Sequence, residues 1–188
     1  MMSVIKVSGL TKKYDKTVAL KNVSFEIPEG SVCGFLGPNG AGKTTTMKLL
    51  MGLTEKDSGN MEIYDTNVTY GHTYNSVRYL QDVPNFYDYM TAQEYLKFIC
   101  ELNNIEKEEI DKRVLEVITL VDLKSAMNKR IRTYSRGMRQ RVGIASNIIS
   151  NPKVLLLDEP VSALDPIGRK EIFDLINSLK GKMTVVFS

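Results

Sequence analysis

The sequence predicts an α/β fold: a mainly parallel core sheet, an N-terminal antiparallel β-subdomain and a helical insertion at about residues 88–150. Three observations predict it. Residues 32–51 read as an apolar strand, a glycine-rich turn and a helix in direct succession. Val154-Leu155-Leu156-Leu157 is a continuous apolar run that ends in Asp158-Glu159, the pattern of a strand buried on both faces. Between them, apolar spacing changes from alternation to intervals of three and four.

Near the N-terminus, residues 3–9 and 18–27 are predicted strands. Val23, Phe25 and Ile27 alternate with Ser24 and Glu26, the period of a half-buried antiparallel strand, and Pro28-Glu29-Gly30 is a turn. The intervening Lys12-Lys13-Tyr14-Asp15-Lys16 reads as a polar loop. An exposed tyrosine in such a loop usually has no role. Tyr14 also offers the kind of ring on which an adenine face stacks.

Residues 32–36 are predicted as a buried strand, with Cys33 a small core residue. They lead into Gly37-Pro38-Asn39-Gly40-Ala41-Gly42-Lys43-Thr44, which fits G-x-x-x-x-G-K-[ST] at every fixed position. Gly37, Gly40 and Gly42 allow a tight turn in which backbone N–H groups converge on phosphate oxygens. A helix starting near Gly42 sets its positive end where a β-phosphate sits. Lys43 supplies a point charge for the β- and γ-phosphates, and the Thr44 hydroxyl is a hard oxygen ligand suited to Mg²⁺. Thr45 to Met51 continue as helix, with Gly52 as its stop. This is a nucleotide-phosphate site.

Farther on, residues 60–64 and 77–80 are predicted as short strands, separated by polar, turn-like sequence that holds the sole histidine, His72, read as a solvated surface residue. Pro84 ends any central strand. Thr91-Ala92-Gln93-Glu94 is a capping box that opens a helix. Ile110, Val114, Val117, Ile118 and Val121 mark a second helix. Ser135 is the predicted N-cap of a third, whose buried face is Met138, Val142, Ala145, Ile148 and Ile149 and whose surface carries Arg136, Arg139 and Arg141. Those arginines are either a solvated basic face or positive charge at a helix N-terminus facing an anion. At the end of the apolar run, Asp158 is placed to orient Mg²⁺ and Glu159 to act as general base on an attacking water. Ser162-Ala163-Leu164-Asp165-Pro166 turns into a helix with Ile172, Phe173, Leu175, Ile176 and Leu179 on its apolar side, and residues 183–188 close as a buried strand.

Composition narrows the class. At 188 residues, 43% hydrophobic and 25% charged, the chain has the make-up of an ordinary globular domain. A net charge of +3 is too mild to argue for nucleic acid or a membrane surface. No run approaches the ~18 apolar residues of a membrane span. The opening Met1-Met2-Ser3 stretch lacks the apolar core of a signal peptide, and Cys33 and Cys100 have no metal-ligand spacing.

Phosphate loop, helical insertion, serine-led helix and strand-end Asp-Glu, in this order, resemble the ATP-binding cassette (ABC) family of P-loop NTPases over essentially the whole chain. The resemblance implies an ATPase with ATP and Mg²⁺ as cofactors. Gly37, Pro38, Asn39, Gly40, Ala41, Gly42, Lys43, Thr44 and Thr45 would hold the phosphates. Tyr14 would stack on adenine. Thr44, Asp82 and Asp158 would serve the metal, and Glu159 would be the catalytic glutamate. Ser135 and Gly137 occupy the signature position, which usually reads Leu-Ser-Gly-Gly-Gln and here reads Tyr134-Ser135-Arg136-Gly137-Met138. Ser162 to Asp165 match the D-loop. For the family's glutamine between strand and helical lobe the candidates are Gln81 and Asp82; counting back from Pro84 favours Asp82. Residues 79–92 look like exporters of the bacitracin and lantibiotic resistance type, which often carry a carboxylate there.

By the same resemblance, two cassettes pair head to tail as a homodimer, and a separate transmembrane permease holds them at the cytoplasmic face of the cell membrane. The transported substrate would be a drug, peptide or antibiotic, and no nucleic-acid partner is expected. A soluble cassette of DNA repair is the alternative, although the stretch from Lys43 to Ser135 leaves no room for its coiled coils; a nucleotide-binding regulator is another. The family's switch histidine follows the last strand. The sequence stops at Ser188, where that motif would begin, so an N-terminal piece of a longer cassette with impaired turnover is expected.

Overall fold

The structure, a computed structural model, describes residues 2–72, 74–162 and 164–188. Its internal contacts divide the chain into two compact units. One comprises Met1–Tyr79, Lys153–Asp158 and Leu179–Ser188; the other comprises Leu80–Pro152 and Glu159–Ser178.

In the first unit the chain forms β1 (Ser3–Tyr14), β2 (Thr17–Pro28), β3 (Val32–Gly34), α1 (Lys43–Leu50), β4 (Ser58–Ile63), β5 (Thr66–Asn67) and all but the last residue of β6 (Val77–Leu80), and returns as β7 (Val154–Leu157) and β8 (Thr184–Phe187). Two sheets result, in the orders β2-β1-β4-β5 and β3-β8-β7-β6. The first is antiparallel in its β1–β2, β1–β4 and β4–β5 pairs. In the second, β8 runs parallel to both β3 and β7. The expected antiparallel subdomain and parallel core sheet are both present. One apolar core joins Val4, Ile5, Leu10 and Ile27 to Met47, Leu49 and Leu50 of α1 and to Val154, Leu156 and Val186. All four residues of β7 are buried, as its unbroken apolar run requires.

Several local expectations need correction. β1 and β2 are longer than alternation alone suggested. Pairing continues through Lys12↔Leu20 and Lys13↔Val18 to Tyr14↔Thr17, so Tyr14 ends a strand and does not sit in a loop. β5 was not expected. β3 stops at Gly34 and is only half-buried, Cys33 included, because it lies at the sheet edge with β8 as its neighbour.

The second unit consists of α2 (Ala92–Leu102), α3 (Lys107–Leu120), α4 (Arg136–Ile148) and α5 (Pro166–Ser178), with short 3₁₀ turns at Lys124–Ala126 and Ile131–Thr133. The capping box of α2 forms in full: Thr91 Oγ1 accepts from Glu94 N at 3.1 Å, and Glu94 Oε2 accepts from Thr91 N at 2.8 Å. Arg113 of α3 donates to the carbonyls of Ile149 and Ile148, both at 2.9 Å, and so satisfies the C-terminal end of α4. Met138 is half-buried and does not belong to the fully buried face of α4. Among the described residues, no helix is long and apolar enough to cross a membrane.

Candidate functional site: a phosphate loop and its strand-end carboxylate

α1 begins abruptly because Gly42, its N-cap, adopts φ 86°. A Cβ there would lie 2.6 Å from the Ala19 carbonyl oxygen and 2.6 Å from Leu20 Cδ2. Only glycine combines that backbone with that closeness. No side chain caps the helix start and no acidic residue occupies its first turn, so the amide groups and helix dipole are left for an anion. Residues Gly37, Pro38, Asn39, Gly40 and Ala41 are exposed, while Lys43, Thr44 and Thr45 are half-buried. Ala41 N donates to Pro38 O at 3.2 Å, which tightens the loop. Lys43 Nζ folds back over it, donating to the carbonyls of Gly37 at 2.9 Å and Pro38 at 3.1 Å. These acceptors are neutral carbonyls, so an anionic group would be the stronger partner.

The same unit brings Asp158 to the loop. Asp158 follows β7 and is only 4% exposed. Thr44 Oγ1 donates to its Oδ1 at 2.9 Å, across 114 residues of sequence. Two further hydroxyls reach the carboxylate: Ser188 Oγ donates to Oδ1 at 3.0 Å and Tyr79 OH to Oδ2 at 2.9 Å. A buried carboxylate needs such partners. A hydroxyl and a carboxylate are hard oxygen donors, and two of them suffice for Mg²⁺, which keeps several waters and binds phosphate oxygens besides. The residues present therefore fit the metal. Among the described residues, no group of three or more His, Cys, Asp or Glu could hold one by itself.

Tyr14 is 43% exposed at the end of β1, with Lys12 Nζ 5.2 Å from its ring centroid. The ring is available for stacking, with a cation over it.

The remaining predicted residues belong to the second unit. Glu159 adopts φ 46°, unusual for a residue other than glycine, and its carbonyl accepts from Ser162 N at 3.0 Å. Ser135 is the N-cap of α4, its Oγ accepting from Met138 N at 3.2 Å, and Gly137 follows in the first turn. Asp82 accepts from the Ser162 hydroxyl and lies 3.9 Å from Arg136 Nη2. Within the unit that carboxylate is thus tied to the D-loop position and the signature position. Gln81 Nε2 instead donates to its own loop, at Val83 O. Of the run from Ser162 to Asp165, Ala163 lies outside the described residues; Asp165 Oδ1 accepts from Gly168 N at 3.0 Å in the first turn of α5.

Of the three arginines on α4, two are neither a solvated face nor free for an anion. Arg139 pairs with Asp88 at 2.8 Å and lies over the Phe86 ring. Arg141, mostly buried, bridges Asp122 at 3.2 Å and Glu171 at 2.6 Å. Tyr134 is also engaged: its hydroxyl donates to Ala126 O at 2.7 Å, and burial pushes its pKa up. Sequence reasoning missed Tyr79 and Ser188 as partners of Asp158. Nothing about a tyrosine in a short apolar strand signals that contact.

Comparison with known proteins identifies the family. A family profile described as ABC transporter matches residues 20–162. The ABC transporter ATP-binding protein YxlF of Bacillus subtilis (strain 168) is 42% identical over 185 residues, which cover 98% of this chain and 62% of that protein. The bacitracin transport ATP-binding protein BcrA of Bacillus licheniformis is 38% identical, covering 95% of this chain and 58% of BcrA. The chain thus spans about three-fifths of the length of these relatives. Among solved structures, CbiO1 of Clostridium perfringens, described as part of the ABC transporter complex CbiONQ, matches with a TM-score of 0.89 and 28% identity over 100% of this chain and 78% of that one. Phosphate loop, strand-end carboxylate, serine-capped helix and these likenesses converge: the chain belongs to the ABC transporter family, as an ATP-binding domain.

Proposed function

We propose that this chain binds Mg-ATP and hydrolyses it as the ATP-binding subunit of an ABC transporter, powering export of a drug, peptide or antibiotic through a separate membrane permease. The observation that carries the reading is the Thr44–Asp158 hydrogen bond, which brings the phosphate loop to the strand-end acid. Lys43 leaves its loop carbonyls for the β- and γ-phosphates, where charge-assisted bonds are stronger. The α1 N-terminus and the amides of residues 42–45 cradle the phosphates. Tyr14 stacks on the base. Thr44 and Asp158 would hold Mg²⁺, which when bound neutralises phosphate charge. Asp82, at the entrance to the helical unit, is proposed to sense the same centre. Glu159 takes a proton from the attacking water. Ser135 and Gly137 present the start of α4 to the nucleotide of a second copy, in a head-to-tail homodimer at the cytoplasmic face of the membrane. Similarity to the bacitracin transport protein supports the export reading.

Equilibrium binding of a fluorescent ATP analogue tests the proposal. Lys43→Ala is expected to weaken binding by about tenfold or more, the loss of a charge-assisted contact. Glu159→Gln is expected to retain binding and slow phosphate release. Unchanged affinity in Lys43→Ala would refute the reading.

A further inference from the structure

Phosphate loop and strand-end acid account for Thr44 and Asp158 but leave the hydroxyls of Tyr79 and Ser188 unexplained. Tyr79 lies in β6, half-buried and packed on the apolar core of its unit, so its ring is held in place. Its OH donates to Asp158 Oδ2 at 2.9 Å. Thr44 and Ser188 both donate to the other oxygen, Oδ1. A carboxylate held through one oxygen alone can still turn about its Cβ–Cγ bond. A donor on each oxygen fixes its plane. We infer that Tyr79 is a positioning residue for the divalent cation: it anchors Oδ2 of Asp158 so that the carboxylate meets Thr44 in the orientation metal binding needs. The effect is that of an outer hydrogen bond on a ligating carboxylate. Ser188 cannot substitute, because it loads the oxygen that Thr44 already uses. The inference rests on the proposal that Thr44 and Asp158 take Mg²⁺.

The test uses the purified chain, a fluorescent ATP analogue and Mn²⁺ as a spectroscopic stand-in for Mg²⁺, with Mn²⁺ occupancy read by electron paramagnetic resonance. Tyr79→Phe keeps the ring and removes the hydroxyl. It is expected to bind the analogue in EDTA as the native chain does and to raise the half-saturating Mn²⁺ concentration about tenfold, the lower end for loss of an outer partner. Val77→Ala, a buried change in the same strand, is the control for instability and should leave that midpoint unmoved. An unmoved midpoint in Tyr79→Phe, with Asp158→Asn shifted, overturns the role of Tyr79 and leaves the site reading intact. An equal shift in Val77→Ala also overturns it, since the effect then follows stability. A Mn²⁺ response unchanged in Asp158→Asn, or no binding of the analogue at all, refutes the underlying metal site instead.

Discussion

Replacing Gly42 by alanine perturbs fold and phosphate loop together, and the structure allows the cost to be worked out. Alanine at φ 86° pays the left-handed penalty of about 1–2 kcal/mol. Its Cβ also meets the Ala19 carbonyl oxygen and Leu20 Cδ2 at 2.6 Å, well inside contact distance. The side chain can move, but the carbonyl belongs to β2 and moves only with the strand. Overpacking of this kind adds about 1–3 kcal/mol. The total, about 2–5 kcal/mol, lowers the melting temperature of a chain this size by about 4–20 °C. Gly40 is the internal control. Its φ is 83°, yet nothing lies within 4 Å of a Cβ built there, so Gly40→Ala carries the backbone term alone. Thermal melts followed by far-UV circular dichroism should therefore rank native above Gly40→Ala above Gly42→Ala. Nucleotide affinity should fall most in Gly42→Ala, because that clash displaces the start of α1. Equal melting temperatures for the two variants would refute the steric part of this reasoning.

Two further predictions concern the helical unit. Tyr134→Phe removes the donor to the buried Ala126 carbonyl and should cost about 1–2 kcal/mol, measured as a lower urea midpoint with unchanged slope. The Thr91 amide holds the Glu94 carboxyl below its ordinary value of 4.5. A pKa depressed in the folded state gives stability that is complete above the ordinary value and lost as pH falls through the folded one. The native chain should accordingly have a higher urea midpoint than Glu94→Ala at neutral pH, with the gap narrowing as pH falls below the ordinary value of 4.5.

Much of this was legible in the sequence wherever one residue type answers one local need. The capping box, the serine cap of α4, the glycine-led turn and the apolar run of β7 all declare themselves within a few neighbours. Pairing across a turn was harder to see. Tyr14 reads as a loop residue because Lys12, Lys13 and Lys16 surround it, yet Asp15 at φ 48° makes the turn and carries the strand on to Tyr14. β5 was hidden for a similar reason. Tyr64 and Asp65 both take positive φ between β4 and β5, a hairpin turn normally announced by Asn-Gly or Asp-Gly. At the site, the acid and the loop could each be named from sequence, but not their contact. Nor could sequence show that Asp88, Asp122 and Glu171 take up Arg139 and Arg141, since those partners come from distant segments.

The positive φ of Glu159 sets chemistry against conformation. An L-residue there sits about 1 kcal/mol or more uphill of glycine, and the Pro160 ring next in line narrows its freedom further. Of all the residues that position could hold, the backbone would choose glycine, which has no carboxylate. Breeding this chain for heat tolerance alone would therefore erode the acid proposed to activate water, and the hardiest descendants would be the idle ones.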